Sequence, residues 1–123
     1  MPFEFYLEPT NETRIYSPTT LAAMREYLAA LPHHQWPDGA FTIFATPEIR
    51  DRRLPALLAN SGKNDYLDPI VAPEPDFVML SVVLDRETDR HLYDFVRWCQ
   101  AQWSCELRYA GAVVAPEDLL GEA

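Results

Sequence analysis

The first residues of the chain alternate between apolar and polar side chains. Phe3, Phe5 and Leu7 occupy the odd positions, and glutamates and a tyrosine occupy the even ones. A period of two predicts a β-strand with one buried face. The run that follows has leucines and a methionine at helical spacing, with Ser17 as a cap and Pro32 as a stop. We predict a first helix between these two residues.

Five later segments extend this pattern. Residues 33–39 predict a turn that is sharpest at Asp38 and Gly39, and residues 40–46 predict a second strand. Residues 76–84 are the most continuous apolar run, which indicates a central strand buried on both faces. A second helix is predicted from about residue 85 to 102, and alternation at 105–109 predicts a fourth strand. The apolar stripe of that helix consists of Leu92, Phe95, Val96, Cys99 and Trp103.

The order of these elements is β-α-β followed by β-α-β. This order favours a ferredoxin-like split βαβ sandwich, with a four-stranded antiparallel sheet and two helices on one face. In that α+β topology the first and third strands lie in the centre of the sheet. The length fits one domain spanning residues 1–123. The similarity is to an architecture alone, and such architectures serve many functions.

A long insertion, residues 46–75, separates the second and third predicted strands. A hairpin turn would be enough to connect them, so an insertion of this length is typical of a functional or separately structured segment. It begins with a helical pattern that Pro55 is expected to break or kink. It also contains too many apolar residues for a free tail, so we expect it to pack on the domain, on a second copy or on a partner.

The chain is acidic, with 19 aspartates and glutamates, 10 basic residues and a formal net charge of −9. This balance argues against direct binding of nucleic acid or an anionic membrane, and it favours a basic partner. The chain begins with no signal-peptide pattern and has no apolar run of about 20 residues, so we expect a cytoplasmic protein. Nine of the ten basic residues are arginines, which suggests a GC-rich bacterial source.

Two cysteines stand close together in the stretch FVRWCQAQWSCELRYAG, residues 95–111. Cys99 and Cys105 are six positions apart, whereas structural zinc ligands come in pairs two to four residues apart. No second pair exists, and a disulfide is not expected in the cytoplasm. We therefore interpret this stretch as the junction of a helix and a strand, and we predict neither a metal site nor a cofactor.

Three histidines are the remaining candidates for chemistry. His33 and His34 lie near Asp38, but adjacent side chains rarely converge on one ion, and a histidine at a helix end is favourable in itself. His91 and Asp94 are one helical turn apart. No glycine-rich phosphate loop, GxSxG motif or HExxH motif is present. An enzyme with His34 or His91 as acid or base stays open as an alternative.

Aromatic and acidic residues give the strongest indication of function. Tryptophan and tyrosine are enriched at binding hot spots, and helical geometry places Trp98 about 100° from the centre of the apolar stripe, so it lies on the flank of the stripe or is exposed. The arginine cluster at 50–53 alternates with acids, which suits protein recognition. The predicted partner-binding residues are Trp36, Arg53, Asp65, Tyr66, Asp68, Glu74 and Trp98.

These observations predict a protein that binds another macromolecule without catalysing a reaction. The most concrete hypothesis is a bacterial immunity or antitoxin-type inhibitor, whose acidic and aromatic surface occludes a basic toxin or nuclease. A ligand-sensing or regulatory ferredoxin-like dimer is an alternative, and the formation of a homodimer stays open.

Overall fold

The computed structural model describes residues 3–59, 68–83 and 86–120 of the chain. Within these residues the protein is α+β, with three α-helices, seven β-strands and one 3₁₀ turn. The helices are α1 (Pro18–Ala29), α2 (Pro47–Ala59) and α3 (Arg86–Gln102), and the 3₁₀ turn is Pro116–Leu120. The strands are β1 (Phe3–Pro9), β2 (His33–Gln35), β3 (Phe41–Ile43), β4 (Ile70–Pro73), β5 (Val78–Val82), β6 (Cys105–Tyr109) and β7 (Ala112–Val114).

The strands form one antiparallel sheet in the order β2-β3-β4-β5-β1-β6-β7. The prediction of a ferredoxin-like sandwich with four strands and two helices is therefore wrong, because the described residues contain seven strands and three helices. The first and third predicted strands, β1 and β5, do pair in the middle of the sheet. The three additional strands each have a local cause.

Two of the additional strands are halves of tight hairpins. Residues 33–39 are not simply a turn, because His33–Gln35 pairs with β3 around a bend in which Gly39 has φ +92°. At the other edge, β6 and β7 are joined by Ala110 and Gly111, whose φ values are +52° and +83°. Two successive residues with positive φ are what a type I′ hairpin turn requires. Such short strands lack the long alternation that identifies a strand in a sequence.

The third additional strand, β4, lies inside the insertion at 46–75. It pairs with both β3 and β5, and it therefore separates two strands that were expected to be neighbours. The insertion also contains α2, which continues through Pro55 to Ala59. The expected break at this proline is not observed. Through β4 the insertion thus contributes a strand to the sheet.

One face of the sheet packs against α1 and α3. The core cluster combines residues from both helices with Phe5 and Leu7 of β1 and the even-numbered residues of β5. In β5, Val78, Leu80 and Val82 are buried, while Met79 and Ser81 are half-buried on the other side. The prediction that this strand is buried on both faces is therefore wrong, since α1 and α3 cover one face only.

The helical ends follow the sequence closely. The Ser17 hydroxyl accepts a hydrogen bond from the Thr20 backbone amide at 3.1 Å, and α1 begins at the next residue, Pro18. In α3 the predicted apolar stripe is buried at Leu92, Phe95, Val96 and Cys99. These two helices anchor the sheet, and they leave the opposite face for other contacts.

Candidate protein-interaction surface

The sheet face that points away from α1 and α3 is called the outer face here. On the three strands β5, β1 and β6 it consists of Glu4, Tyr6, Glu8, Met79, Ser81, Glu106 and Arg108. The antiparallel register places Tyr6 directly opposite Met79 on one side and Arg108 on the other. It also places Glu8 opposite Glu106. The period of two along each strand thus gathers these side chains on one surface.

The centre of the outer face is apolar and partly exposed. The Tyr6 ring meets the Phe77 ring edge-on, with centroids 5.3 Å apart and an interplanar angle of 82°. Met79 is the cross-strand neighbour of the same tyrosine, and all three side chains are half-buried. At the sheet edge, Val113 is 58% exposed and pairs with Arg108. A tyrosine ring and a phenylalanine ring beside a flexible thioether are well suited to contact another protein.

Acidic residues surround this apolar centre. Glu4, Glu8 and Glu106 extend from the strands, and Glu74 and Asp76 lie exposed in the turn that leads to Phe77. The basic residue described on this face is Arg108, which lies 2.7 Å from the Glu106 carboxylate and 3.8 Å from that of Glu8. Its charge is therefore already shared between two carboxylates. The surface keeps a clear excess of negative charge.

Tyr6 is protonated on this surface at neutral pH. Its hydroxyl donates a hydrogen bond to Glu4 Oε2 at 3.1 Å. That hydrogen bond, together with burial and the negative charge of the same glutamate, raises the pKa of Tyr6 above its usual value. The pair presents a phenol and a carboxylate side by side, a combination that can accept hydrogen bonds from a basic side chain.

Two of the predicted partner-binding residues bind each other. Arg53 on α2 donates to the Asp68 carboxylate through Nε at 2.9 and 3.0 Å and through Nη2 at 2.7 Å. Asp68 is 8% exposed. This bidentate bond joins α2 to the residues just before β4. It gives both side chains a structural role, and their contact with a partner stays a prediction.

The two predicted tryptophans also have contacts within the fold. Trp98 is half-buried, and its ring stacks on Tyr27 at 4.6 Å and meets Trp103 edge-on at 5.1 Å. Trp36 donates from Nε1 to the buried Thr42 hydroxyl at 2.7 Å. The helical geometry of Trp98 thus gave its flank position, but the aromatic neighbours cover a large part of the ring.

The three remaining predicted residues are Asp65, Tyr66 and Glu74. Glu74 is exposed in the turn between β4 and β5, next to the outer face. Asp65 and Tyr66 lie outside the described residues. The structure therefore brings one predicted residue, Glu74, to the outer face. The remaining outer-face residues were not predicted as a site, although the polar side of the first strand was the signal that could have identified them.

Two of the three histidines lie within hydrogen-bonding distance of a backbone carbonyl, and the His34 ring meets the Trp36 ring edge-on at 4.7 Å. His91 Nε2 lies 3.0 Å from the Ala45 carbonyl oxygen, and His33 Nδ1 lies 2.8 Å from that of Leu31. Asp94 accepts a hydrogen bond from Arg90 at 3.2 Å. Among the residues that the structure describes, no group of three or more histidine, cysteine or acidic side chains could hold a metal ion.

The two cysteines are free thiols within the hydrophobic core or at its margin. Cys99 is fully buried and Cys105 is half-buried. Burial raises the pKa of the Cys99 thiol far above its usual range. Burial also raises the pKa of Cys105 to about 11, in spite of a hydrogen bond with Tyr16 that acts in the opposite direction. Neither thiol has the electropositive surroundings of a reactive cysteine.

We expect both cysteines to react very slowly with Ellman's reagent at pH 8 in the native protein and rapidly after unfolding in urea. The folded state holds these protons more tightly than the unfolded chain, whose thiols titrate at about pH 8.5. The free energy of unfolding should therefore fall as pH rises from about 8.5 towards 11. The single variants Cys99→Ala and Cys105→Ala show which cysteine gives each phase of the labelling reaction. Rapid labelling of native Cys105 would contradict this expectation.

None of the helices in the described ranges is long and apolar enough to cross a membrane.

Comparison with known proteins identifies no relative of this chain. No protein-family model, curated protein or solved structure shows significant similarity to the chain.

Proposed function

We propose that this chain is a non-catalytic protein-binding module whose outer face docks on a basic partner. The observation that supports this most directly is the arrangement of five carboxylates around the apolar centre formed by Tyr6, Phe77 and Met79. An apolar centre with a charged rim is the usual anatomy of a protein interface. The specific form we favour is an immunity or antitoxin-type inhibitor in the bacterial cytoplasm.

The charge of the surface would act mainly on association. A chain with a net charge of −9 attracts a basic protein at a distance, and the excess of carboxylates on the outer face orients the encounter. Rim charges of this kind change the association rate and its dependence on salt more than they change short-range affinity. The rings of Tyr6 and Phe77 would then supply the contact area that slows dissociation.

Inhibition would follow from steric occlusion. A nuclease or similar toxin binds its anionic substrate through arginines and lysines, and the same groups would pair with the glutamates of the outer face. The chain need contribute no chemical step, because covering the basic site is enough to exclude the substrate. This mechanism makes the charge of the outer face its essential property.

The proposal is tested by reversing one charge on the outer face. The partner would first be sought among products of the genes adjacent to this one, and the purified pair would be assayed for binding and for inhibition of the toxin. Glu74→Lys should raise Kd about tenfold, on the order of 1.4 kcal/mol, mostly through slower association. Raising the salt concentration should weaken the wild-type complex in the same way.

Glu26→Lys is the matched control for this variant. Glu26 is also exposed and its reversal changes the net charge equally, but it lies on α1, on the opposite side of the sheet. It should weaken binding much less than Glu74→Lys. Equal effects of the two variants would overturn the assignment of the outer face. A chain that dimerises alone and is stabilised by a metabolite, with no toxic neighbour, would overturn the inhibitor hypothesis.

A further inference from the structure

A pocket of about 560 Å³ opens at one end of the sheet, where the β1–α1 loop meets the end of α3. Its volume falls within the range of pockets that hold small ligands or single large side chains. Its lining contains no charged residue. The lining residues used below are Asn11, Ile15, Tyr16, Trp103 and Ser104.

The loop side of the pocket is held in one conformation. The Asn11 side chain donates from Nδ2 to the Ile15 carbonyl at 2.9 Å, and its Oδ1 accepts from the Ile15 amide at 3.3 Å. Between them, Arg14 has φ +57°, a left-handed conformation that few non-glycine residues adopt. These two hydrogen bonds fix Ile15 with half of its surface exposed at the mouth of the pocket. The apolar wall is thus present before any ligand arrives.

The opposite wall rests on the hydrophobic core. The Trp103 ring packs edge-on against Trp98, and the Trp103 backbone amide donates to the Cys99 carbonyl at 2.9 Å. Tyr16 is buried and donates from its hydroxyl to the Leu7 carbonyl at 2.8 Å. Both aromatic residues are therefore positioned by contacts that do not depend on what fills the pocket.

Backbone hydrogen bonds connect the pocket to the segments that carry the carboxylates of the outer face. A backbone hydrogen bond of 2.9 Å from Thr10 to Ser104 extends the pairing of β1 and β6, so the pair Glu8 and Glu106 stands two residues from the pocket rim. The Tyr16 amide donates to the Pro75 carbonyl at 2.7 Å, which joins the pocket to the turn containing Glu74 and Asp76. An uncharged pocket, lined by both apolar and polar side chains, is thus linked through the backbone to segments that carry four carboxylates, and Arg14 is the basic residue of its own loop.

We propose that this pocket receives one apolar side chain of the partner, aromatic or branched aliphatic, whose neighbouring lysines or arginines reach the adjacent carboxylates. This inference rests on the proposed function and names the segment of the partner that the surface recognises. Charge complementarity selects a basic segment, and the uncharged pocket, with Ile15 and Trp103 in its lining, selects the anchor. The glutamates would determine how quickly the partner arrives, and the pocket would determine how long it stays.

Short blocked peptides test the pocket without any knowledge of the partner. Lys-Phe-Lys, Lys-Ser-Lys and Glu-Phe-Glu would be titrated into the ¹⁵N-labelled chain while the Trp103 indole signal is followed by NMR. We expect Lys-Phe-Lys to bind with a Kd of about 1 mM and the two others at least fivefold more weakly. Ile15→Ser should weaken the binding of Lys-Phe-Lys at least fivefold.

Leu58→Ser is the matched control, because Leu58 and Ile15 are both 50% exposed and Leu58 lies on α2. It should leave the affinity for Lys-Phe-Lys unchanged. Equal binding of Lys-Ser-Lys and Lys-Phe-Lys would overturn the anchor, and equal binding of Glu-Phe-Glu and Lys-Phe-Lys would overturn the selection of a basic segment. A pocket that prefers neutral apolar molecules to all three peptides would overturn the partner proposal in favour of a small ligand.

The outcomes also separate this inference from the proposed function. If Glu74→Lys weakens the complex with the full partner and Ile15→Ser does not, the anchor proposal fails and the acidic docking surface stands. If Lys-Phe-Lys binds as expected but no basic protein partner exists, the inhibitor hypothesis fails and the chemistry of the pocket stands. Weakening of the full complex by both variants supports both proposals.

Discussion

Replacing Phe95 with alanine is expected to lower the free energy of unfolding by about 4 kcal/mol, within the range measured for buried phenylalanines. Phe95 lies in the middle of α3 and is fully buried. Its ring is 5.4 Å from that of Tyr27 and 6.3 Å from that of Trp98, so it joins the two helices as well as the helix and the sheet. Loss of the ring would leave a cavity where α1, α3 and the sheet meet, because the surrounding side chains relax only in part.

The measurement is urea unfolding followed by circular dichroism, with Tyr93→Ala as the matched control. Both substitutions replace an aromatic residue of α3 with alanine, so the gain in helix propensity is the same. Tyr93 is half-buried and holds the guanidinium groups of Arg90 and Arg97 at 5.2 and 5.7 Å from its ring. We expect its loss to cost about 1 kcal/mol. Similar costs for the two variants would contradict the assigned core.

The Phe95 variant also bears on function. A domain of this size has a total stability of about 5–15 kcal/mol, so a loss of about 4 kcal/mol is a large fraction of it. The outer face depends on the pairing of β1 with β5 and β6. The opposite side of these strands packs in the core that contains Phe95. Partner binding should therefore weaken at temperatures where this variant begins to unfold, and it should be normal below them.

The parts of the fold that the sequence predicted correctly have long-range periodicity. The stripe of α3 and the alternation of β1 each repeat often enough to identify both the element and its buried face. The strands that were missed are short, and their pairing is set by turns and neighbours. β7 depends on positive φ at Ala110, which composition does not reveal, and β4 depends on finding β3 and β5 on its two sides.

The candidate surface was only partly predictable for a similar reason. Charge and aromatic content predicted an acidic recognition surface, which stays a prediction, and one of the residues named for it, Glu74, lies next to the outer face. The residues that make up the outer face are far apart in the chain and become neighbours only through the register, as Glu8 and Glu106 show. In contrast, Arg53 and Asp68 were each predicted to contact a partner, and in the fold they form an ion pair with each other. Opposite charges within one insertion can neutralise each other in this way.

Replacing Arg53 with alanine is expected to lower the free energy of unfolding by about 3 kcal/mol, at the lower end for a broken buried ion pair. The side chains of Arg53 and Asp68 are 28% and 9% exposed, and three hydrogen bonds of 2.7–3.0 Å join them. The cost arises mainly because the Asp68 carboxylate would stay buried without this partner. Arg52→Ala is the matched control, since Arg52 is exposed on the same helix and its loss should cost less than about 0.5 kcal/mol.

A double-mutant cycle distinguishes a buried charge from a lost contact. In the Arg53→Ala background, Asp68→Asn removes the uncompensated charge and should recover about 1 kcal/mol, whereas in the wild-type background the same change should be destabilising. Asp68→Asn would thus change the free energy of unfolding in opposite directions in the two backgrounds, which is expected when the two residues depend on each other. Failure of the asparagine to recover any stability would show that the Asp68 carboxylate is solvated without Arg53.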